Sequence, residues 1–243
     1  MKSIKAIVCD VYRTILDVLE APADAEERWH AMLRESFAST PILSLREVEA
    51  RCRKIISEDH SEARKRGINY PEVSWPWVME RALPVLSGLS RAERDPFIFR
   101  HAQLSRRLRL MPGCSDVLRE CRRQGILLGI VSNAQAYTLE ELRLAMSEGG
   151  LDPSIFEADL TFWSFVHGFS KPDPYVFQLL RARLQNRHIE PSETLLIGDR
   201  EDNDILPARA AGWNTWQFSN ITNDRGWSSL ARELFQLQHT GDW

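Results

Sequence analysis

Several features that mark specialised classes of protein are scarce in this 243-residue sequence. No run approaches the roughly 20 apolar residues of a membrane-spanning helix. The net charge of −3 at pH 7 argues against a basic surface that coats nucleic acid. Cysteines are few and lack the spacing of a zinc-binding motif, so we expect reduced, structural thiols. The four cysteines are Cys9, Cys52, Cys114 and Cys121.

The composition that remains is that of an ordinary globular protein, with 43% hydrophobic and 27% charged residues. The chain begins with an apolar strand rather than a signal sequence, which favours a cytoplasmic location. We therefore expect a small anionic metabolite as the partner, with no nucleic acid and no membrane, in a monomer or homodimer. The length suffices for a full α/β core that carries a smaller insert.

The first strand, at 4–9, is followed by a block of helical periodicity at 17–108, called here the helical block. No comparable strand interrupts this block, and turn residues separate its helical patterns. Four helices with short connections predict a small bundle. The predicted helices span 23–38, 45–66, 72–86 and 92–108.

After the helical block, strands and helices alternate, which indicates a mostly parallel sheet with helices on both faces. Apolar strands are predicted at 126–131, 159–165, 194–197 and 215–218. We therefore predict an α/β fold, in which a Rossmann-like parallel sheet core carries an inserted α-helical bundle. Residues 1–16 and 109–243 would form the core, and 17–108 the inserted domain.

Two carboxylates follow strands that lie far apart in the chain. Asp10 ends the first strand, and Asp199 ends the run Leu195-Leu196-Ile197-Gly198. In an open α/β sheet, ligands bind beyond the carboxyl ends of the strands, so these acids can converge there. An aspartate at this place can act as a nucleophile when cations screen its charge. Taken alone, Asp10 would more often cap a turn.

Further acids follow Asp199 within one turn, at Asp202 and Asp204. Carboxylates packed this closely need a counter-charge. Oxygen-rich sets of this kind suit a hard cation such as Mg²⁺. Asp204 could instead be the N-cap of the helix predicted to begin at Ile205.

Other polar residues come after the second predicted strand of the core and before a later helix. Ser132 and Asn133 offer a hydroxyl and hydrogen-bond donors to an anionic substrate, although a Ser-Asn turn after a strand is common. Lys171 could neutralise Asp10 and a substrate oxyanion together. A lysine before a proline-started helix is, in isolation, usually solvated.

In this order, the motifs resemble those of the haloacid dehalogenase-like hydrolase superfamily over almost the whole chain. The segment Asp10 to Thr14 is similar to the family's aspartate loop, and the helical block sits where the family places a helical cap that selects the substrate. The resemblance implies catalytic roles for Asp10, Tyr12, Thr14 and Lys171, and substrate contacts from Ser132 and Asn133. It also implies a Mg²⁺ site made by Asp10, the backbone carbonyl of Tyr12, Asp199 and Asp204.

Two residues depart from the phosphatase pattern of that family. Tyr12 stands where phosphatases carry a second aspartate that protonates the leaving group, and a phenol is a poorer acid at neutral pH. Arg13 replaces the glycine that usually follows. Tyr12 is similar to the 2-haloacid dehalogenase branch, which displaces halide without a metal, whereas Asp199 and Asp204 are similar to the metal-holding branch.

Three functions therefore follow as hypotheses. The favoured one is Mg²⁺-dependent hydrolysis of a small phosphorylated metabolite, slow or restricted to good leaving groups. The second is metal-independent dehalogenation of a 2-haloacid. The third is a binding or regulatory protein that keeps the fold and has little turnover.

Overall fold

A computed structural model of the chain describes residues 3–37, 43–218 and 225–236. Its strands are β1 (Ala6–Cys9), β2 (Leu16–Leu19), β3 (Arg107–Leu110), β4 (Leu127–Ser132), β5 (Thr161–Trp163), β6 (Thr194–Gly198) and β7 (Asn214–Gln217). Its helices are α1 (Ala25–Ser36), α2 (Leu45–Lys65), α3 (Trp75–Ala82), α4 (Arg91–Ala102), α5 (Cys114–Arg123), α6 (Tyr137–Glu148), α7 (Ser164–His167), α8 (Pro174–Asn186), α9 (Leu206–Ala210) and α10 (Trp227–Gln236). The α/β class predicted from the sequence is confirmed.

Five parallel strands form the main sheet, in the order β5-β4-β1-β6-β7. The central strand β1 is apolar and fully buried, as expected for a strand that helices cover on both faces. Cys9 pairs with Ile130 on one side and with Ile197 on the other. Because the strands are parallel and in this register, the residues that follow them meet at one edge of the sheet.

Separate apolar clusters pack on the two faces of the sheet. One includes Ile7, Leu118 and Met146, and the other includes Val8, Phe162 and Leu180. Alternation along β1 sends Ile7 to one face and Val8 to the other, since successive strand side chains point in opposite directions. The sheet is therefore held in a fixed position between two helical layers.

Helices α1 to α4 enclose a third apolar cluster, centred on Trp29, Val48 and Met79. A two-stranded antiparallel sheet of β2 and β3 connects this helical block to the rest of the chain. The predicted domain boundaries at 16/17 and 108/109 fall within this strand pair. The division into two domains stays a prediction.

The helical block differs from its prediction at two helix ends. Helix α3 is shorter than the predicted 72–86 because Pro84 follows Leu83, and a residue before proline disfavours the helical conformation. Helix α4 ends at Ala102, not near 108, because Arg107 begins the strand that pairs with β2. The end of the first predicted helix, at 38, lies outside the described residues.

All four cysteines are buried and free of disulfide bonds, in agreement with the sequence. Within the described ranges, every helix is too short or too polar to cross a bilayer.

Candidate active site

Asp10, Asp199 and Asp204 converge at the carboxyl edge of the sheet, as the strand pattern predicts. One carboxylate oxygen from each lies within 4.8 Å of the others. Asp10 is 8% exposed and Asp204 is 1% exposed. Three acids at this depth repel one another and lose hydration, so the arrangement requires positive charge.

Lys171 supplies one positive charge from the loop before α8. Its Nζ donates to Asp10 Oδ1 at 2.7 Å and to Asp204 Oδ1 at 2.5 Å. Asp10, Lys171, Asp199 and Asp204 are called the Lys171 cluster from here on. One ammonium faces three carboxylates, so this cluster carries an excess of negative charge.

Asn133 fixes the backbone of Lys171 from the end of β4. Its Oδ1 accepts from the Lys171 N–H at 2.7 Å, and its Nδ2 donates to the Lys171 carbonyl at 2.9 Å. The peptide bond from Lys171 to Pro172 is cis. The oxygen and the nitrogen of the asparagine side-chain amide are therefore both engaged with the lysine backbone, although Asn133 was predicted as a substrate contact.

Asp204 lies in a π-helical turn, Glu201–Ile205, and is not the N-cap of α9. Its Oδ2 accepts from the Arg200 N–H at 3.0 Å. Gly198 makes this close approach possible, because a Cβ at that position would lie 2.5 Å from Asp204 Oδ2. Asp202, the other acid of the motif, is exposed and pairs with the Arg200 guanidinium instead.

The acids suit a divalent cation by their chemistry. They are hard oxygen donors from three points of the chain, within a span that one ion can bridge. Asp204 already accepts one hydrogen bond at each oxygen, and a carboxylate oxygen keeps a second lone pair for a metal. Asp10, Asp199 and Asp204 therefore fit the predicted Mg²⁺ site.

Burial and like charges shift the titration of the cluster. Burial raises the pKa of Asp10 to about 6, while Lys171 acts in the opposite direction and Asp204 adds to the rise. Burial and the charge of Asp204 also raise the pKa of Asp199. Burial would lower the pKa of Lys171, but the charges of Asp10 and Asp204 outweigh it and raise that pKa.

A cavity of about 220 Å³ opens onto the Lys171 cluster. Besides the four cluster residues, it is lined by Tyr12, Arg13, Asn133, Arg200 and Asn203. A second cavity, of about 260 Å³, shares Tyr12 and Asn133 with the first and receives Glu72 and Arg106 from the helical block. The two cavities together extend from Asp10 to the helical block.

The hydroxyl of Tyr12 belongs to a different polar cluster. It donates to the Glu141 carboxylate, lies 2.7 Å from Thr138 Oγ1 and accepts from Arg106 at 3.0 Å. Arg106 also donates to both Glu141 oxygens at 3.0 Å, and Gln103 donates to Glu141 Oε1 at 2.7 Å. Tyr12, Gln103, Arg106, Thr138 and Glu141 are called the Arg106 cluster from here on.

This cluster makes the Tyr12 hydroxyl a poor acid. Burial raises the pKa of Tyr12 far above its ordinary value, and Glu141 adds to the rise while Arg106 opposes it. A hydroxyl has one proton, and here Glu141 accepts it. The geometry therefore does not favour Tyr12 as the proton donor to a leaving group, a role for which the sequence made it a candidate.

The hydroxyl groups of Ser132 and Thr14 are buried without a hydrogen-bond partner among the described residues. Ser132 ends β4 and Thr14 lies in the loop that Asp10 begins. An unpaired buried hydroxyl costs free energy unless another group hydrogen-bonds to it. Ser132 keeps the unused donor that its predicted role as a substrate contact requires.

Sequence reasoning missed the contacts that tie the helical block to this edge. Glu72 accepts from Ser164 Oγ at 2.5 Å and from Gln135 Nε2 at 2.9 Å, and its N–H donates to the Gly168 carbonyl at 3.0 Å. A single charged residue in a predicted helix carries no signal of such contacts, because charged residues on helices are ordinarily solvated. Arg106 and Glu141 were missed for the same reason.

Comparison with known proteins gives one family. The family model described as haloacid dehalogenase-like hydrolase matches residues 4–212. An uncharacterised hydrolase of Schizosaccharomyces pombe is 27% identical over 166 residues, which cover 66% of this chain and 68% of that protein. The human haloacid dehalogenase-like hydrolase domain-containing protein 3 is 33% identical over 107 residues, 44% of this chain and 39% of the human protein.

Solved structures share the fold. A 2-haloacid dehalogenase from Pseudomonas syringae pv. tomato superposes with a TM-score of 0.61 at 19% identity, over 96% of this chain and 99% of that chain. A hydrolase from Bacillus subtilis bound to magnesium superposes with a TM-score of 0.52 at 23% identity, over 96% and 100% of the two chains. Dehalogenases and other hydrolases are thus both among the neighbours in fold.

Proposed function

Because this chain belongs to the haloacid dehalogenase-like hydrolase family, we propose that it hydrolyses a small phosphorylated metabolite, with Asp10 as the nucleophile and Mg²⁺ as the cofactor. The observation that carries this proposal is the charge excess of the Lys171 cluster. Three carboxylates lie within 4.8 Å of one another, and among the described residues Lys171 alone pairs with them through its side chain. In a metal-independent reaction, no bound cation would compensate this excess of negative charge.

The chain's own residues suit an in-line displacement. A carboxylate oxygen of Asp10 attacks phosphorus, the bond from phosphorus to the leaving oxygen breaks, and water then hydrolyses the aspartyl phosphate and regenerates Asp10. Lys171 holds Asp10 in place at 2.7 Å and offsets its charge. Asn133 positions Lys171, and Ser132 offers its unused hydroxyl to a phosphoryl oxygen.

The Mg²⁺ site would be formed by Asp10, Asp199 and Asp204, with the backbone carbonyl of Tyr12. When bound, the ion supplies positive charge that offsets the carboxylates and the phosphoryl oxygens.

The leaving group receives little help from Tyr12, whose proton is held by Glu141. The loss of one general acid lowers a rate by roughly 10²- to 10⁴-fold. We therefore expect a preference for leaving groups that need no proton, as in acyl phosphates, anhydrides and aryl phosphates. The cavity between Tyr12 and the helical block provides room for such a group.

The leading test combines metal binding with product release. Calorimetry would measure Mg²⁺ binding by the wild type and by Asp199→Asn, and the same samples would be assayed for phosphate release from acetyl phosphate and p-nitrophenyl phosphate. We expect binding that is lost in the variant and turnover that depends on the metal. Turnover no faster than that of an Asp10→Asn control would end the proposal.

Leaving-group chemistry provides a second test. Aryl phosphates of graded phenol pKa should show a steep fall in kcat/KM as the phenol becomes more basic. Tyr12→Phe should keep this steep dependence, because the hydroxyl does not protonate the leaving group. A shallow dependence in the wild type that becomes steep in Tyr12→Phe would show that the tyrosine is the acid.

Dehalogenation of a 2-haloacid is the second candidate, favoured by the presence of Tyr12 itself. Halide leaves without a proton, so the engaged Tyr12 hydroxyl would not hinder it. Halide release from 2-chloropropionate in the presence of a chelator, without Mg²⁺ binding, would select this function. Metal binding and ligand-induced stabilisation without either product would instead select a binding or regulatory role.

A further inference from the structure

Arg13 lies at the mouth of the cavity that contains Asp10, Lys171 and Asp199. Its side chain is exposed, and its φ angle is +60°. This left-handed conformation is uncommon for residues other than glycine, asparagine and aspartate. An arginine therefore occupies a backbone position that suits glycine, at the entrance to the reaction site.

The other two cations of this cavity are already paired. Lys171 donates to Asp10 and Asp204. Arg200 donates to Asp202 through two nitrogens, at 3.0 and 2.6 Å. Among the described residues, the Arg13 side chain makes neither a hydrogen bond nor an ion pair. Its charge acts to lower the pKa of Asp199, against the larger effects of burial and Asp204. Arg13 is thus the cation of this cavity that remains available to a ligand.

The charge balance indicates what that ligand carries. A divalent cation in the site would neutralise the excess charge of the Lys171 cluster, while Arg200 is balanced by Asp202. Arg13 adds one positive charge on an exposed side chain that no described carboxylate pairs with, whereas Lys171 is buried beside Asp10 and is available to the attacked phosphoryl group. A guanidinium fork matches a carboxylate or a phosphate with two parallel hydrogen bonds.

We propose that Arg13 selects substrates that carry a second anionic group, a carboxylate or a phosphate, close to the phosphoryl group attacked by Asp10. This inference rests on the proposed phosphatase function and refines its substrate class. The strained backbone of Arg13 is explained if the side chain contributes to binding, since unfavourable conformations persist where function requires them.

Equilibrium binding tests the inference without turnover. In an Asp10→Asn background with Mg²⁺, calorimetry would compare inorganic phosphate with phosphoglycolate and with pyrophosphate. We expect the two larger ligands to lose ten- to a hundred-fold in affinity when Arg13→Gln is added, as for the loss of a charge-assisted hydrogen bond. The preference over inorganic phosphate should fall by the same factor. A greater loss for phosphoglycolate identifies the carboxylate as the selected group, and a greater loss for pyrophosphate identifies the phosphate.

Two further variants separate binding from structure. Arg13→Gly should raise the melting temperature by about 2 °C, because glycine adopts the left-handed conformation without strain, and it should lose the same preference. Arg123→Gln, which removes an exposed arginine from α5, should change neither property. An equal loss for all three anions, or an unchanged preference in Arg13→Gln, would overturn the inference.

The experiments distinguish failure of the proposed phosphatase function from failure of the Arg13 anion site. If the wild type releases no phosphate but Arg13 still determines the preference among anions, then the function proposed above fails and the anion site stands. If phosphate is released and the preference does not depend on Arg13, then the anion site fails alone.

Discussion

Two buried charged clusters adjoin the loop that Asp10 begins, one through Asp10 and the other through Tyr12, and they differ in charge balance. In the Arg106 cluster, one guanidinium faces one carboxylate, and both Glu141 oxygens accept hydrogen bonds from Arg106. In the Lys171 cluster, one ammonium faces three carboxylates. The charges of the first cluster balance within the chain, whereas the second cluster needs further positive charge.

The difference teaches how to separate a structural ion pair from a reaction site when both are buried. A pair that is balanced in charge joins elements of the fold, here the Tyr12 loop, the segment after α4 and helix α6. An unbalanced group beside a cavity keeps unfavourable charge that a bound cation or a proton relieves. Substitutions in the two clusters should therefore affect different properties.

The largest effect is expected from Asp10→Asn. Removing the nucleophile should lower phosphate release by about 10⁴-fold or more, as for other enzymes that lose a nucleophile, with the fold intact by circular dichroism. The matched control is Asp17→Asn, which breaks a peripheral pair with Arg109 and should keep most of the activity. Full turnover by Asp10→Asn would mean that the Lys171 cluster is not the reaction site.

Stability should respond most in the other cluster. Glu141→Gln leaves Arg106 buried without its counter-charge, and breaking a buried pair from one side costs about 3 to 5 kcal/mol. Denaturant unfolding would measure this loss. The double variant Arg106→Met with Glu141→Leu removes both charges, and we expect it to regain part of the stability.

Arg106→Met, Glu141→Leu and their double variant form a thermodynamic cycle. If the two single substitutions each destabilised the protein and their losses simply added in the double variant, the two residues would be independent, and the comparison between the clusters would fail.

The Lys171 cluster could be predicted from the sequence, whereas the Arg106 cluster could not. Asp10 and Asp199 follow apolar strands, and parallel strands bring their carboxyl ends to one edge. Arg106 and Glu141 are 35 positions apart in irregular chain and on a helix, where charged residues are ordinarily solvated. Their contact depends on how the helical block sits against the sheet, which no local pattern encodes.

For Tyr12, the sequence predicted the position of the residue but not the contacts of its side chain. Its position in the aspartate loop was clear from the sequence, and this suggested a role in proton transfer. Its hydroxyl hydrogen-bonds to Glu141 and Thr138. These tertiary contacts engage the proton that a leaving group would need.

A buried ionisable group with no partner extends the comparison to acid stability. His101 is 6% exposed, packs against Trp29 and Trp75, and has neither ring nitrogen hydrogen-bonded among the described residues. Burial lowers its pKa to about 4. The folded state thus disfavours the charged form, so its contribution to stability is fully present above the unfolded pKa near 6.5 and is lost as pH falls towards 4.

From this shift we expect a loss of roughly 3 kcal/mol between pH 7 and pH 4 that depends on His101. Urea unfolding at several pH values would measure the loss. His101→Leu should flatten this part of the profile, whatever its effect at neutral pH. An unchanged profile in the variant would assign the acid sensitivity to other groups. His30, which is partly buried on α1, is the control position.

The smallest change in stability is expected from Asp199→Asn in chelator, and the sign of this change is the most informative. Asp199 is a partly buried acid whose pKa is raised by burial and by Asp204. Its loss removes repulsion of about 1 kcal/mol, the Coulomb energy of two unit charges about 4 Å apart in water. We therefore expect the variant to be slightly more stable than the wild type in chelator at pH 7, and to gain no stability from added Mg²⁺, because it has lost Mg²⁺ binding.

Asp202→Asn is the matched control, because this neighbouring acid is exposed and paired with Arg200. It should leave both the stability in chelator and the response to Mg²⁺ nearly unchanged, since exposed pairs contribute little. If Asp199→Asn were instead less stable in chelator and bound Mg²⁺ as tightly as the wild type, the third carboxylate would be a structural partner. The Lys171 cluster would then resemble the balanced Arg106 cluster, and its claim to be a metal site would rest on Asp10 and Asp204 alone.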